Sequence, residues 1–143
     1  MNQMKITCKA ELVNDGFVRN SVASFVMSKN PTIDEIVEIK TMVSEAFTNA
    51  IIHGYNGETD REVSIEATLD EDTLCLIIED QGCGIDDIEQ ASTPLFSTKP
   101  GDEHAGMGLS IIEALSDEFE ILSSKQQGTK LTITKTLKKK HGQ

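Results

Sequence analysis

The spacing of apolar side chains predicts a β-strand followed by two helices in the first part of the chain. The segment MKITCKA is apolar at every second residue, the period of a strand, at Met4, Ile6, Cys8 and Ala10. After VNDG the spacing becomes helical and lasts until KNP, with apolar side chains at Phe17, Val18, Val22, Phe25 and Val26. A second helix begins at a capping box, Thr32 with Glu35, and should end at Gly54.

Two hairpins, a loop and a third helix are predicted for the rest of the chain. EVSIEATLD and TLCLIIED alternate between apolar and polar residues across a short turn, which is typical of a hairpin. A second hairpin joins FEILSS to TKLTITKTL across KQQG. Between the hairpins we expect a turn at DQGCG, a short helix at residues 86–90, a mobile loop at STPLFSTKPGDEHAG and a helix at GLSIIEALSDE.

This order of elements predicts an α+β fold, a two-layer α/β sandwich in which helices cover one face of a mainly antiparallel sheet. A parallel βαβ arrangement would need a regular alternation of strands and helices, which the pattern lacks. We expect one domain at residues 1–136 and a basic C-terminal tail at residues 137–143. The basic run KTLKKKH, residues 135–141, should be solvated.

Composition narrows the class of protein. The formal net charge of −11 argues against nucleic acid as the main partner, because phosphate binding needs a basic surface. No apolar run approaches the roughly 20 residues that span a bilayer, and the N-terminus lacks a secretory signal, so we expect a cytoplasmic protein. The cysteines, Cys8, Cys75 and Cys83, have no metal-ligand spacing, and the first two should act as small apolar side chains.

A stripe of polar side chains interrupts the second helix. Glu45, Asn49 and His53 are four residues apart, and residues at this spacing are neighbours on a helix surface. A buried carboxylate without a partner is costly, so the stripe should face water, a metal or a ligand. Asn49 can offer an oxygen to Mg2+, and Glu45 can accept a proton from a hydroxyl beside it. Taken alone, the stripe is more typical of the solvent edge of an amphipathic helix.

Glycines occur at several points where a ligand could approach the backbone. Asp80 ends an apolar strand just before Gly82 and Gly84, and its carboxylate can accept a hydrogen bond from the exocyclic amine of adenine. Gly106 and Gly108 lie at the start of a helix, where free N–H groups bind phosphate. Each of these segments also fits an ordinary turn or loop, and the Walker pattern is absent.

Two further segments can complete a nucleotide site. STKPGDEHAG is a candidate lid in which Thr98 and Lys99 would contact phosphate oxygens. Gly128 and Thr129 form a hairpin turn whose threonine could help to hold a base. An ordinary surface loop and an ordinary hairpin turn are the alternative interpretations.

The fixed order of these motifs resembles the nucleotide site of the GHKL ATPase/kinase superfamily, which includes gyrase, Hsp90, MutL and histidine kinases. The stretches IKTMVSEAFTNAIIHGYN, PLFSTKP and GMGLSIIEALSDEFEI look like the anti-sigma F factor family of spore-forming bacteria. The resemblance extends from about residue 4 to residue 134. It implies the GHKL (Bergerat) ATP-binding fold.

The resemblance also implies an activity, cofactors and partners. Members of this family are homodimeric serine protein kinases that hold sporulation sigma factor F inactive and phosphorylate a small anti-anti-sigma factor. The cofactors would be ATP or ADP with Mg2+, and no contact with nucleic acid or membrane is implied. Glu45 would be the catalytic base and Asn49 the Mg2+ ligand. The adenine site would comprise Asp80, Gly82, Gly84 and Thr129, the phosphate site Thr98, Lys99, Gly106, Met107 and Gly108, and the partner contacts Asp15 and Arg19.

One position departs from the family pattern, because His104 and Ala105 stand where the family usually has arginine and serine before G-M-G. A largely neutral histidine cannot make the bidentate phosphate contact of arginine. This departure bears on the kinase rate more than on ATP binding.

Other functions fit parts of the pattern. An ATP-driven clamp would need further domains, and a histidine kinase would need a linked phosphoacceptor helix pair. A related general-stress anti-sigma kinase, or a nucleotide-bound sigma-binding module with weak kinase activity, remains open.

Overall fold

The computed structural model describes residues 1–54, 61–81, 104–124 and 128–138. The strands are β1 (Asn2–Lys9), β2 (Glu62–Asp70), β3 (Thr73–Asp80), β4 (Glu118–Ser124) and β5 (Gly128–Thr136). The helices are α1 (Asp15–Val26), α2 (Ile33–Asn49) and α3 (His104–Leu115), and a π-helical turn at Ala50–Gly54 continues α2. The bounds of β2 and β3 coincide with the two segments predicted for the first hairpin.

The strands form one antiparallel sheet in the order β1-β2-β3-β5-β4. Side chains on successive residues point to opposite faces, so β2, β3 and β5 each bury every second residue. The buried face joins the apolar face of α2, which includes Ile39, Met42 and Phe47, in a single core. The predicted two-layer α+β fold is therefore confirmed.

The first helix is confirmed, but one of its apolar residues is not in the core. Val18, Val22 and Val26 are fully buried at four-residue spacing, whereas Phe17 is 62% exposed. Phe17 precedes the buried stripe by one residue, about 100° around a helix of 3.6 residues per turn, and so points away from α2 and the sheet. Beyond α1, Asn30 adopts a left-handed conformation with φ of 52°, which asparagine tolerates better than most residues.

Of the basic run at residues 135–141 the structure describes residues 135–138, where Lys135 and Leu137 are buried, contrary to the prediction that the run is solvated, and Lys138 is exposed. Leu137 is 3% exposed, and its N–H donates to the carbonyl of Asp72. Lys135 lies on the helix-covered face of β5, where its Nζ donates to the carbonyl of Leu115 and lies 2.9 Å from the carboxylate of Glu38. These contacts satisfy the last turn of α3 and explain why a lysine is buried here.

Glu35 ties the beginning of α2 to the end of the sheet. The predicted capping box is present, because Thr32 Oγ1 accepts from the N–H of Glu35 and the carboxylate of Glu35 accepts from the N–H of Thr32. The other carboxylate oxygen of Glu35 accepts from the N–H of Lys138 at 2.7 Å. Glu35 is 6% exposed, so both backbone donors rely on it.

We therefore expect Glu35→Ala to lower the free energy of unfolding by about 2 kcal/mol, because it removes a cap and leaves a second backbone N–H unpaired. Urea unfolding followed by circular dichroism measures the change. Asp34→Ala is the matched control, since Asp34 is exposed in the same helical turn. Equal losses in the two variants would contradict the role given to Glu35.

Among the described helices, none has the length and apolar character needed to cross a bilayer. The described cysteines, Cys8 and Cys75, are unbridged and partly buried. Burial, and secondarily the carboxylate of Glu62, raises the pKa of the Cys8 thiol. Both residues therefore behave as the small apolar side chains that the strand pattern predicts.

Candidate functional site

Two polar residues of α2 lie at the edge of its buried face. Ala46 and Phe47 are buried, whereas Glu45 and Asn49 beside them are only partly covered. Four residues separate Glu45 from Asn49, so the two side chains are neighbours on the same helical stripe. The predicted pair thus occupies a boundary between core and surface, where a carboxylate can be both positioned and reached.

The carboxylate of Glu45 is in close contact with α3. A Cβ atom placed on Gly108 would lie 2.9 Å from Glu45 Oε2, closer than van der Waals contact allows. Only glycine at this position leaves the carboxylate where it is. The structure therefore brings together the predicted base and the glycine motif at the beginning of α3, which are far apart in the sequence.

Asn49 is the last α-helical residue of α2, and the chain then widens into the π-helical turn Ala50–Gly54. Such turns are rare and occur often at functional sites. This turn packs against both β3 and β5. The helix that carries Glu45 and Asn49 is thereby joined directly to the strands that carry Asp80 and Thr129.

Asp80 and Thr129 are register partners on neighbouring strands. Each is 7% exposed, and each continues the row of side chains that faces the helices. The carboxylate at the end of β3 and the hydroxyl at the beginning of β5 therefore lie side by side. The structure brings these two predicted base-binding residues together.

Gly128 and Ser123 complete this end of the sheet. Gly128 has φ of +92°, and a Cβ atom there would lie 2.1 Å from the carbonyl oxygen of Asp80, so no other residue fits. Ser123 Oγ lies 2.9 Å from Thr129 Oγ1, and its role was missed in the sequence. Counting outward from KQQG as the loop would have paired Ser124 with Thr129, whereas Gly128 belongs to β5 and pairs with Ser124, which sets Ser123 opposite Thr129. A cavity of about 170 Å³ opens beside these residues.

Arg19 belongs to a polar network between α1 and α2. Its guanidinium donates to Asp15 Oδ2 one helical turn earlier, and Ser44 Oγ donates to the same oxygen at 3.0 Å. Asp15 Oδ1 is buried without a hydrogen-bond partner among the described residues. The predicted partner-binding pair is thus connected to Ser44, the residue before Glu45, which sequence reasoning did not single out.

The other predicted site residues lie partly within and partly outside the residues that the structure describes. Gly82, Gly84, Thr98 and Lys99 lie outside the described residues, as do the predicted short helix and most of the lid. Residues 104–106, predicted as the end of the loop, are instead the first residues of α3, which therefore begins before the predicted start at Gly108. Gly106 and Met107 lie in the first turn of α3. Within the part of the chain that the structure describes, no group of three or more His, Cys, Asp or Glu side chains could hold a metal ion.

Comparisons of the sequence with known proteins agree with one another. Residues 8–135 match the family model described as a histidine kinase-like ATPase domain. A protein of Bacillus velezensis named anti-sigma F factor is 48% identical over 138 residues, covering 96% of this chain and 94% of the relative. Proteins of the same name from Bacillus subtilis (46% identity, 96% of this chain and 94% of the relative) and Clostridium perfringens (43%, 95% and 97%) are similar over the same extent.

Solved structures with this fold are more distant in sequence. The RsbU and RsbW domains of a Mycobacterium tuberculosis protein give a TM-score of 0.69 at 22% identity, over 96% of this chain and 32% of that one. The mycobacterial sensor histidine kinase MprB gives 0.56 at 20% identity, over 71% of this chain and 72% of that one. At these identities the likeness concerns the fold alone.

Proposed function

The chain belongs to the anti-sigma F factor family of histidine kinase-like ATPase domains, and on that premise we propose that it sequesters sporulation sigma factor F and phosphorylates a serine of a small anti-anti-sigma partner with Mg-ATP. The contact between Glu45 and Gly108 carries this proposal. It places a carboxylate that can accept a proton against the beginning of a helix that can bind phosphate.

In phosphoryl transfer the protein mainly positions the reactants and neutralises their charge, and there is little covalent chemistry for its side chains to carry out. Glu45 accepts the proton of the acceptor serine as its oxygen bonds to the γ-phosphorus and the bond to the β-phosphate oxygen breaks. The beginning of α3 holds the phosphates, with Gly106, Met107 and Gly108 in its backbone, and Thr98 and Lys99 add contacts from the lid.

Asn49 is the protein ligand proposed for Mg2+, which supplies positive charge to the triphosphate. A single amide oxygen suffices, because Mg2+ commonly keeps its waters and takes most other ligands from substrate phosphates. Gly108 leaves no side chain between α3 and Glu45, and Asn49 and Asp80 offer oxygen acceptors, so the chemistry of the residues present fits Mg-ATP. Asp80 and Thr129 hold the adenine, with Gly82 and Gly84 shaping the pocket.

The partners follow from the family premise. Arg19, held by Asp15, is proposed to contact both the sigma factor and the anti-anti-sigma factor, and the chain acts as a homodimer in the cytoplasm. The side chain of Arg19 is 40% exposed, so it can reach a partner while its orientation is maintained by Asp15. Histidine at position 104 supports a second candidate, a sigma-binding module with weak kinase activity, because it lacks the phosphate contact of arginine.

Recognition of adenine leads to a direct prediction. We expect Asp80→Asn to weaken ATP binding by about 10- to 100-fold, because it removes a charged acceptor for the exocyclic amine and introduces a competing donor. Asp70→Asn is the matched control, since it makes the same change at the exposed end of β2, away from this cavity. Titration with a fluorescent ATP analogue measures both. Equal affinities of the two variants would contradict the assignment of Asp80.

Incubation with γ-labelled ATP, Mg2+ and the anti-anti-sigma protein tests the proposed activity. The proposal predicts label on a serine of the partner, and loss of that label when Mg2+ is chelated. If the partner stays unlabelled while the chain still binds the sigma factor, the sigma-binding module replaces the kinase.

A further inference from the structure

A second cavity lies between α1 and α2, separate from the sheet end that carries Asp80. Its volume is about 310 Å³. One wall is Arg19 on α1, and the other is a stripe of α2 formed by Val37, Lys40, Thr41, Ser44 and Glu45. These five residues of α2 follow the i, i+3, i+4, i+7, i+8 spacing of one helix face, so the cavity runs along α2 and reaches Glu45.

The side chain of Glu45 therefore lies between α3 and this cavity. Gly108 and the beginning of α3 approach it on one side, and the cavity opens on the other. Transfer of a phosphoryl group requires donor and acceptor oxygens to be roughly in line. If the phosphates lie against α3, the acceptor hydroxyl must come from another direction, and the cavity offers an opening to Glu45.

Lys40 lines this cavity and has no role in the proposed reaction as described so far. It is only partly exposed, and it makes no hydrogen bond or ion pair with any described residue. Arg19, the other cation in the wall, is already held by Asp15. The chain has 24 acidic and 13 basic side chains, so a lysine in a cavity wall with no partner in the described part of the chain is an unusual source of positive potential.

We propose that this cavity receives the segment of the protein substrate that carries the acceptor serine, and that Lys40 binds an acidic side chain of that segment. This inference rests on the proposed kinase function. Five residues separate Lys40 from Glu45, about 7.5 Å along the helix axis. An extended peptide advances about 3.3 Å per residue, so the acidic side chain should lie two or three residues from the serine.

Steady-state phosphorylation of the anti-anti-sigma protein tests the role of Lys40. We expect Lys40→Glu to raise the KM for the protein substrate about tenfold, because attraction becomes repulsion, with kcat and the KM for ATP within about twofold of wild type. Lys29→Glu is the control, because it makes the same change in net charge at an exposed position at the end of a short helical turn after α1. It should leave all three parameters unchanged.

A compensating charge reversal sharpens the test. In the protein substrate, each acidic residue within three positions of the acceptor serine is changed to lysine, one at a time. One of these substrate variants should have a low KM with the Lys40→Glu kinase and a raised KM with the wild-type kinase. Equal KM values for Lys40→Glu and Lys29→Glu, a parallel rise in the KM for ATP, or no rescue at any position would overturn the inference. A wild-type chain that transfers no phosphate overturns the proposed function and this inference with it.

Discussion

Glu45→Gln should lower kcat for phosphorylation of the anti-anti-sigma partner by about 10²- to 10⁴-fold, the range expected when a general base is removed. The substitution keeps the shape of the side chain and its contact with Gly108, so only the ability to accept a proton is lost. ATP affinity should stay within about threefold of wild type, because the amide can still occupy the space beside α3. A quenched-flow assay with labelled ATP gives the rate, and nucleotide titration gives the affinity.

Glu113→Gln is the control for this prediction, since Glu113 is exposed on α3. It makes the same change of one charge and should leave the rate unaltered. A Glu45→Gln variant that transfers phosphate as fast as the wild type would show that another group accepts the proton. A loss of ATP binding equal to the loss in rate would instead assign Glu45 to nucleotide binding.

Gly108→Ala should separate stability from activity. The added Cβ atom would lie 2.9 Å from Glu45 Oε2, and the end of a flexible side chain can swing away without disturbing the core. Alanine is about 1 kcal/mol better than glycine in a helix, so thermal stability should be unchanged or slightly higher. Displacement of the carboxylate by about 1 Å should cost about 10²-fold in kcat/KM, because transfer depends on position.

Gly16→Ala provides the matched comparison. A Cβ atom on Gly16, also within a helix, would find its nearest neighbour at 3.9 Å, an ordinary contact with Arg19. This variant should gain stability and keep the kcat/KM of wild type for phosphoryl transfer, because the ordinary contact leaves Arg19 in place. Scanning calorimetry measures the thermal stability of both variants, and the transfer assay measures their kcat/KM. If Gly108→Ala is as active as Gly16→Ala, the position of the Glu45 carboxylate has no bearing on catalysis.

The parts of the fold that follow from local chemistry were predictable from the sequence. Strict alternation defined β2 and β3 to the residue, and the capping box marked the beginning of α2, because both signals arise between near neighbours. The exposure of Phe17 was not predictable in this way. Which of two adjacent apolar residues enters the core depends on where α2 and the sheet lie.

In the site too, some features follow from the local sequence and others depend on how the elements pack. The positions of Glu45 and Asn49 on one stripe of α2, and of Asp80 at the end of β3, follow from the sequence, whereas the roles predicted for them rest on the resemblance of the whole set of motifs to a family. The role of Ser44 depends on a carboxylate 29 residues earlier in the chain, and no local pattern reveals such a pairing. The closeness of Glu45 to Gly108 likewise arises only when α2 packs against α3.

A crystal structure with Mg2+ and a non-hydrolysable ATP analogue would show where the triphosphate binds. We expect the γ-phosphate to lie between the first turn of α3 and the carboxylate of Glu45, with Mg2+ on the side-chain oxygen of Asn49 and adenine against Asp80. A triphosphate bound elsewhere, or Glu45 and Asn49 turned away from it, would contradict the proposed nucleotide site.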